Sequence, residues 1–219
     1  MKLKLITIII ALTITVGYTD ISIGVKGGLS LYKVEDNRSF DFYNEFRLAP
    51  DASVFCELGV NKFLFHNIML TYYQAGGKST IQGTDLSGNA TSEWWINEKL
   101  NYIGIGYDLE LKGRFLNILP YFSVGVSLDY LVNSKEEMSS GKTIEEVHSF
   151  DDSRFKKFNV RPFFVGGLEY KISRIAILAE YTFSYNFLPF YVQEKTTTSD
   201  GIKYKTFGQF INFGCKFYL

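Results

Sequence analysis

Residues 21–32 read ISIGVKGGLSLY. The odd positions hold Ile, Val, Leu or Gly, and the even positions hold small, polar or charged residues until Tyr32. This alternation with a period of two predicts a β-strand whose two faces meet different surroundings. One face of this strand is apolar and the other carries Lys26. If the apolar face points inward the strand belongs to a soluble barrel, and if it points outward to lipid the strand belongs to a membrane barrel.

The N-terminal segment has the layout of a secretory signal peptide. Two lysines precede an apolar run from Leu5 to Val16, and small or weakly polar residues follow up to Thr19. The run is too short for a comfortable membrane-spanning helix, although a buried first strand or a membrane anchor would also be apolar. We therefore expect residues 1–19 to be a signal peptide and residues 20–219 to form one domain.

The composition excludes several classes of protein. The formal net charge is zero, which gives no reason to expect nucleic acid as a partner. The mean hydropathy is +0.00, and no apolar stretch of about 20 residues follows the signal segment, so no transmembrane helix is expected. Aromatic residues make up 17% of the chain. Two cysteines are too few for a disulfide framework.

Seven further segments repeat the alternation of the first. We predict strands over about 51–61, 66–78, 98–112, 119–133, 157–172, 175–187 and 207–219. The connections alternate in length, with short turns after strands two, four and six. Long polar loops follow the odd strands, at about 33–50, 79–97, 134–156 and 188–203. In an up-and-down meander all the long loops lie at one end, which is typical of outer-membrane barrels.

An eight-stranded meander also describes a lipocalin, in which the apolar face points inward around a ligand. Four features favour a membrane barrel, with its apolar face toward lipid. The polar face carries Gly, Ser and charged residues that suit a narrow interior, and the strands are long enough to cross a bilayer. Aromatic residues lie near the strand ends, and no C-terminal helix pattern is present. The fold predicted is all-β, an eight-stranded antiparallel up-and-down transmembrane β-barrel. The expected interfacial aromatics are Tyr72, Tyr102, Tyr130, Phe158, Phe187 and Phe207.

The last strand resembles the C-terminal recognition strand of bacterial outer-membrane proteins. Asn212, Gly214, Phe217 and Leu219 supply a polar residue, a glycine, an aromatic residue and an apolar end. The usual last residue of that signal is Phe, whereas this chain ends in Leu. The resemblance implies that the barrel-insertion machinery is a partner.

Three stretches resemble a known family: GVKGGLSL at 24–31, LPYFSVGVSLDYL at 119–131 and VGGLEYKI at 165–172. They are similar to the outer-membrane β-barrel domain family common in Bacteroidota, the PorT-like group. The resemblance covers essentially the whole chain after the signal segment and implies a location in the bacterial outer membrane. PorT itself is implicated in type IX secretion. The Gly-aromatic strand patterns that carry the resemblance indicate the barrel fold more firmly than they indicate a biochemical function.

The polar face predicts a network of charges inside the barrel. Lys26 needs a buried partner, and Glu57 on the neighbouring strand is the nearest inward acid expected. The network as a whole comprises Lys26, Glu57, Asp108, Glu110, Asp129, Arg161, Glu169, Lys171 and Glu180, with Lys112 on the same face. It is either a charge-balanced plug or a gated path for ions or protons. The narrow bore of eight strands favours the plug.

No catalytic, cofactor-binding or metal-binding residues are expected. His66 falls at a predicted turn, while His148 lies in EEVHSFDDS beside Ser149 and Asp151. Those neighbours resemble the ingredients of a hydrolase triad or a loose calcium site, but an acidic solvated loop explains them equally well.

Two further pairs have structural interpretations. Cys56 and Cys215 share lipid-facing parity on strands that flank strand one, about 10 Å apart, which is too far for a disulfide. Trp94 and Trp95 are expected in the second long loop, folded onto the rim at the lipid headgroups.

These patterns favour a non-enzymatic outer-membrane barrel with a structural, adhesive or partner-binding role through its external loops. The alternatives are a component of an envelope protein-secretion system, a narrow pore or transporter, and a barrel enzyme. Outer-membrane lipid and the insertion machinery are the expected partners, and another envelope protein is a further candidate.

Overall fold

A computed structural model describes residues 20–36, 45–84, 87, 90–140, 143–146, 155–193 and 202–219. The expected signal peptide and the loop around His148 lie outside these residues. The described part contains eleven strands: β1 Asp20–Asp36, β2 Arg47–Gly59, β3 Leu64–Ala75, β4 Lys78–Thr84, β5 Ala90–Lys112, β6 Ile118–Ser140, β7 Thr143–Glu146, β8 Phe158–Ile172, β9 Ile175–Tyr185, β10 Tyr191–Gln193 and β11 Ile202–Tyr218.

Eight of these strands form a closed antiparallel ring. Around the ring the order is β5, β3, β2, β1, β11, β9, β8 and β6, and β6 pairs again with β5. The last strand pairs with the first over fifteen positions, from Ser22–Tyr218 to Asp36–Tyr204. The predicted eight-stranded up-and-down barrel is therefore confirmed.

The strands are staggered as they pass around the ring. Following directly paired residues from Ile21 gives Leu58, His66, Leu109, Val124, Phe164, Phe183, Gln209 and finally Leu31. The path returns to β1 ten residues from its start, since 31 − 21 = 10. With strands about 4.8 Å apart and a rise of about 3.3 Å per residue, this stagger corresponds to a tilt of roughly 40°.

The two faces of the ring separate as the alternation predicts. The outward positions carry large exposed apolar side chains, such as Ile105, which is 64% exposed. The inward positions carry buried polar groups, such as Asp108, which is 1% exposed. An apolar exterior around a polar interior is the arrangement that suits lipid outside. Within the described ranges, no helix is long and apolar enough to cross a membrane.

All four predicted long loops contain more strand than expected, and in the first of them β1 continues to Asp36 and β2 begins at Arg47. β5 begins at Ala90 rather than near residue 98, β6 continues to Ser140, and β11 begins at Ile202. The short strands β4, β7 and β10 pair with these extensions. Trp94 and Trp95 consequently lie within β5, so their placement in a loop was wrong. In the extension of β5, Ile96, Glu98 and Leu100 are buried on the inward face, while Asn97 and Lys99 lie on the outward face. Apolar residues therefore no longer mark the outward face, and the pattern that identified the other strands is lost.

The turns β2–β3, β5–β6 and β8–β9 are short and lie at one end of the barrel, together with the start of β1 and the end of β11. The turn between β5 and β6 has Leu116 at a positive φ of 57°, and Leu116 is 95% exposed. Short turns at this end and longer connections at the other identify the periplasmic and external ends.

Candidate functional site

The inward faces of the eight ring strands enclose a lumen filled by side chains. We call the half nearer the short turns the lower lumen and the half nearer the long connections the upper lumen. The lower lumen is charged, whereas the upper lumen is mainly aromatic and apolar. An eight-stranded barrel is only wide enough for side chains to fill its interior.

The lower lumen is built around two lysines and three glutamates. Lys112 Nζ lies 2.6 Å from Glu57 Oε2, 2.8 Å from Glu110 Oε1 and 2.9 Å from Glu169 Oε2. Lys216 Nζ lies 2.9 Å from Glu57 Oε2 and 2.6 Å from Glu169 Oε2. All five side chains are buried, and they come from β2, β5, β8 and β11. The cluster therefore ties four strands together across the lumen.

Neutral groups complete this cluster. Ser22 Oγ donates to Glu57 Oε1 at 3.3 Å, and the hydroxyl of Tyr218 donates to Glu169 Oε1. The ammonium of Lys112 lies 4.6 Å from the centre of the Phe65 ring. A buried ion pair persists only when its remaining donors and acceptors are satisfied, and these contacts serve that purpose.

Lys26 has a different partner from the one expected. Its Nζ lies 2.7 Å from Glu180 Oε1 on β9, whereas Glu57 is occupied by Lys112 and Lys216. The prediction of Glu57 as its partner was wrong. It considered only acids on the strands adjacent to β1, whereas the long side chain of Lys26 reaches past β11 to Glu180 on β9. Tyr121 also donates its hydroxyl to Glu180, at 3.0 Å.

A third group of charges lies where the lower lumen meets the upper lumen. Arg161 Nε lies 2.9 Å from Asp129 Oδ2, and Tyr73 donates its hydroxyl to the same oxygen at 2.8 Å. The guanidinium carbon of Arg161 lies 4.3 Å from the centre of the Tyr73 ring. Arg161 is thus held by an ion pair and by the face of an aromatic ring.

The upper lumen is closed by a packed aromatic and apolar cluster. The rings of Tyr32 and Tyr73 are stacked at 5.7 Å, and those of Tyr73 and Tyr102 at 5.1 Å. Leu100, Leu131, Phe155, Phe190 and Phe210 belong to the same buried cluster. Tyr102 is fully buried here, so its expected position in the lipid-facing girdle was wrong. Its neighbour Ile103 faces outward, and the period of two forces Tyr102 inward.

Two small cavities lie among the described lumen side chains. One of about 30 Å³ is lined by Lys26, Asp51, Arg161 and Glu180 among others, and one of about 10 Å³ lies in the lower lumen. These volumes are enough for one or two water molecules. Among the described residues the lumen is therefore plugged rather than open.

The structure brings together eight of the nine predicted lumen residues as buried inward side chains: Lys26, Glu57, Asp108, Glu110, Asp129, Arg161, Glu169 and Glu180. Lys171 differs, because it is only half-buried and its ammonium lies over the ring of Tyr218, 3.6 Å from the centre. Lys216 was missing from the predicted network. Its inward parity on β11 was the available signal.

Two acidic residues are less completely satisfied. Asp108 accepts a 3.3 Å hydrogen bond from Asn67 at Oδ2, and Ser123 is a second donor to this carboxylate, while the buried Oδ1 has no well-aligned donor among the described residues. Asp51 Oδ1 likewise has no well-aligned donor, although Asn212 is a donor to the same carboxylate, and Asp51 lines the 30 Å³ cavity. A buried water molecule of the size that this cavity admits would satisfy such an oxygen.

The residues of the expected insertion signal lie on β11 and at its end. Asn212 faces the lumen and donates to Glu180 Oε1 at 3.3 Å, whereas Phe217 and Leu219 are exposed on the outside. Gly214 pairs with Lys26 of β1. The strand that the barrel-insertion machinery is expected to recognise, β11, is thus the strand that closes the ring with β1. Its role in insertion stays a prediction.

Other candidate sites fall outside the lumen. His66 faces outward, with Nδ1 2.6 Å from the hydroxyl oxygen of Tyr107. No group of three or more metal-ligating side chains occurs in the part of the chain that the structure describes. Cys56 and Cys215 are both free, as expected. The acidic loop considered for calcium or catalysis lies outside the described side chains.

Comparison with known proteins identifies a family. The sequence model of the protein family described as "Outer membrane protein beta-barrel domain" matches residues 18–192, which is more than half of the chain. Among curated proteins no sequence matches.

Solved structures give distant similarities. Neisserial surface protein A is 11% identical, with a TM-score of 0.46 over 89% of this chain and 96% of that one. Ail of Yersinia pestis is 10% identical, with a TM-score of 0.39 over 90% and 98%. OprG of Pseudomonas aeruginosa is 10% identical, with a TM-score of 0.42 over 92% and 98%. Similarities this distant carry no information about ligands or partners.

Proposed function

We propose that this protein, which belongs to the outer membrane protein beta-barrel domain family and lies in the bacterial outer membrane, is a non-enzymatic scaffold that binds a partner through its external end. The barrel would hold this external surface at the membrane, and the lumen would serve stability rather than transport. Binding residues presented on a rigid scaffold are a common arrangement.

The observation that supports this proposal is the plugged lumen. Among the described residues, ion pairs fill the lower lumen and stacked tyrosines close the upper lumen, and the two cavities found between these side chains have volumes of about 30 and 10 Å³. A conducting pore or a transport path for a solute needs a continuous aqueous route, which these contacts oppose. A structural or binding role needs none.

The external end supplies ordered surface for a partner. β4 and the first part of β5 form a hairpin that stands beyond the ring, and β6 and β7 form a second one. Register pairs also join Trp94 to Ile81 on β4 and to Ser140 on β6. A backbone that is already hydrogen-bonded in a hairpin loses less conformational entropy on binding than a free loop does.

A direct test combines conductance with cross-linking. Purified barrel in a planar bilayer should show no stepwise conductance, and a photo-cross-linking residue at Ser87 should capture an envelope partner in intact cells. The matched control places the same residue at Ser173, at the opposite end. Stepwise currents from the wild type, or capture at Ser173 alone, would contradict the proposal.

A second candidate function is a component of an envelope protein-secretion system, in keeping with the resemblance to the PorT-like group. The specific observation in its favour is the β5–β6 turn, where Phe115 is 69% and Leu116 is 95% exposed. Leu116 also adopts a left-handed backbone conformation, which is disfavoured for residues that have a β-carbon. An exposed apolar turn of this kind suits a periplasmic protein partner.

Substitution of the turn separates the two candidates. Leu116→Gly relieves the backbone strain and removes the apolar group, so the barrel should stay folded. Loss of protein secretion in cells carrying Leu116→Gly, with normal barrel abundance, would favour the secretion component. Unchanged secretion together with partner capture at Ser87 would favour the external scaffold.

A further inference from the structure

Buried acids outnumber buried bases in the lumen. Among the described residues, nine carboxyl groups and five basic groups are buried. A buried carboxylate without a compensating charge is costly, so some of these acids need a counter-charge that the side chains themselves do not supply. Asp51 is one of them, because it is only 6% exposed and forms no ion pair within the part of the chain that the structure describes.

A glycine places Asp51 beside a gap in the row of inward side chains. Gly28 of β1 pairs with Asp51 of β2 on one side and with Asn212 of β11 on the other. Because Gly28 has no side chain, the amide of Asn212 occupies the space over it, and a β-carbon there would lie 2.5 Å from Asn212 Oδ1. The glycine therefore lets side chains from two strands that are not neighbours approach the same space.

This space is the cavity of about 30 Å³ between the lower and the upper lumen. Asp51 and Asn212 both line it, and Oδ1 of each is buried without a well-aligned donor. The hydroxyl-bearing side chains of Ser53, Thr71 and Thr182 line the same cavity. Oxygen atoms with free acceptor capacity thus surround a volume that admits one or two groups of the size of water.

The charges around the cavity leave one carboxylate uncompensated. Lys26 and Arg161 also line it, but the ammonium of Lys26 lies 2.7 Å from Glu180 Oε1 and Arg161 Nε lies 2.9 Å from Asp129 Oδ2. Each of these basic groups is therefore already neutralised by its own acid. The charge of Asp51 remains, and a single monovalent cation would balance it.

Volume and ligand number exclude the common divalent cations. Calcium takes six to eight oxygen ligands, and magnesium keeps several of its own water molecules, so both need more oxygens or more room than a cavity of about 30 Å³ provides. A small monovalent ion is bound by the same hard oxygen ligands and needs fewer of them.

We propose that this cavity binds one sodium ion, with Asp51 Oδ1 and Asn212 Oδ1 as its protein ligands. The ion completes the charge balance of the plug and links β2 to β11 across β1, beside the pairing that closes the ring. Because the lumen around the cavity is filled by side chains, the ion is taken up as the barrel folds.

Urea unfolding in lipid vesicles, in sodium chloride or in choline chloride of equal ionic strength, tests the proposal. Choline is too large for the cavity, and equal ionic strength keeps the screening of the other ion pairs constant. For one bound ion, a tenfold rise in sodium above its dissociation constant raises the ratio of folded to unfolded protein about tenfold. We therefore expect the urea midpoint to rise with sodium and not with choline.

Variants locate the ion. Asp51→Asn removes the uncompensated charge and should abolish the dependence on sodium, while Asn212→Ala should raise the sodium concentration that gives half of the stabilisation. Asp108→Asn is the matched control, because Asp108 is also a buried acid without an ion pair among the described residues but does not line this cavity. It should keep the full dependence on sodium. Faster migration of the unboiled protein on a gel verifies that each variant is folded.

Two results would overturn the proposal. Equal stability of the wild type in the two salts would show that the cavity holds only water or that Asp51 carries a proton, and this comparison needs no variant. A dependence on sodium that persists in Asp51→Asn would show that the ion acts elsewhere on the protein or the membrane. Because these measurements involve no external partner, their outcome is independent of the proposed scaffold function.

Discussion

Glu57 is the residue on which the charge balance of the lower lumen depends most. Its carboxylate accepts hydrogen bonds from Lys112 at 2.6 Å and from Lys216 at 2.9 Å, and Ser22 adds a third donor. Both ammonium groups are buried. Removing the charge of Glu57 would leave two buried cations competing for Glu169 and Glu110.

We therefore expect Glu57→Gln to lower the free energy of unfolding by about 3–5 kcal/mol, the usual cost of breaking a buried ion pair from one side. Urea unfolding in lipid vesicles, followed by the fluorescence of Trp94 and Trp95, measures this change. Asp108→Asn is the matched control, because Asp108 accepts hydrogen bonds only from the neutral side chains of Asn67 and Ser123 and forms no ion pair among the described residues. Equal losses for both variants would refute this account of the network.

Gly167 is required because the ring of Tyr121 packs closely against its α-carbon, and not because its backbone conformation excludes other residues. A β-carbon at this position would collide with the ring of Tyr121, whose hydroxyl is fixed on Glu180. The neighbouring Gly166 faces outward, and a β-carbon there would have nothing within 4 Å.

Gly167→Ala should therefore destabilise the barrel by roughly 1–3 kcal/mol through overpacking. Gly166→Ala should change the stability little. The same urea unfolding experiment compares these adjacent substitutions. A large effect at Gly166, or none at Gly167, would show that the assigned faces of β8 are wrong.

At the scale of elements, the external extension of β5 and β6 is stabilised by a rim ion pair. Lys99 Nζ lies 2.7 Å from Glu137 Oε2, above the membrane-spanning part of both strands. The hydrogen bond from Lys99 lowers the pKa of Glu137 below its ordinary value, and Lys135 adds a smaller effect. The pair stabilises the extension while Glu137 is ionised.

The sign of the pH dependence follows from this lowered pKa. Stabilisation is present above the pKa of Glu137 in the unfolded chain and is lost as the pH falls through the lower folded value. We expect Lys99→Met to raise the pKa of Glu137 toward its ordinary value in a carboxyl NMR titration. Lys135→Met should raise it less, and a larger effect for Lys135→Met would contradict the assignment of Lys99 as the main partner.

The pairing of β1 with β11 is the element contact that turns a meander into a barrel. It joins the two ends of the described chain over fifteen residue pairs. The sequence indicated the alternation of both strands, but closure depends on a stagger of ten residues accumulated over all eight. Pairing between residues so far apart is the part of the fold that local pattern does not contain.

At the scale of the whole molecule, closure of the ring predicts heat-modifiability. In detergent, the unboiled protein should migrate faster on a gel than the boiled protein, because a closed barrel stays compact until heat breaks its strand pairs. A variant that lacks residues 202–219 cannot close the ring and should show a single band. A single band for the wild type would contradict the closed ring.

The alternating faces, the number of strands and their membrane location could be predicted from the sequence, because the period of two is imposed separately on each strand. Eight of the nine predicted lumen charges are buried inside for the same reason. The sequence also indicated which end carries the short turns.

Only the tertiary structure decided which inward groups meet. Lys26 contacts Glu180 rather than Glu57, and Tyr102 stacks on Tyr73 instead of facing lipid. The strand extensions at the external end also escaped prediction, since their buried inward face mixes Ile96 and Leu100 with Glu98 and their outward face is polar. Parity determines the face of each residue, whereas the partners across the lumen depend on the stagger, which no single strand encodes.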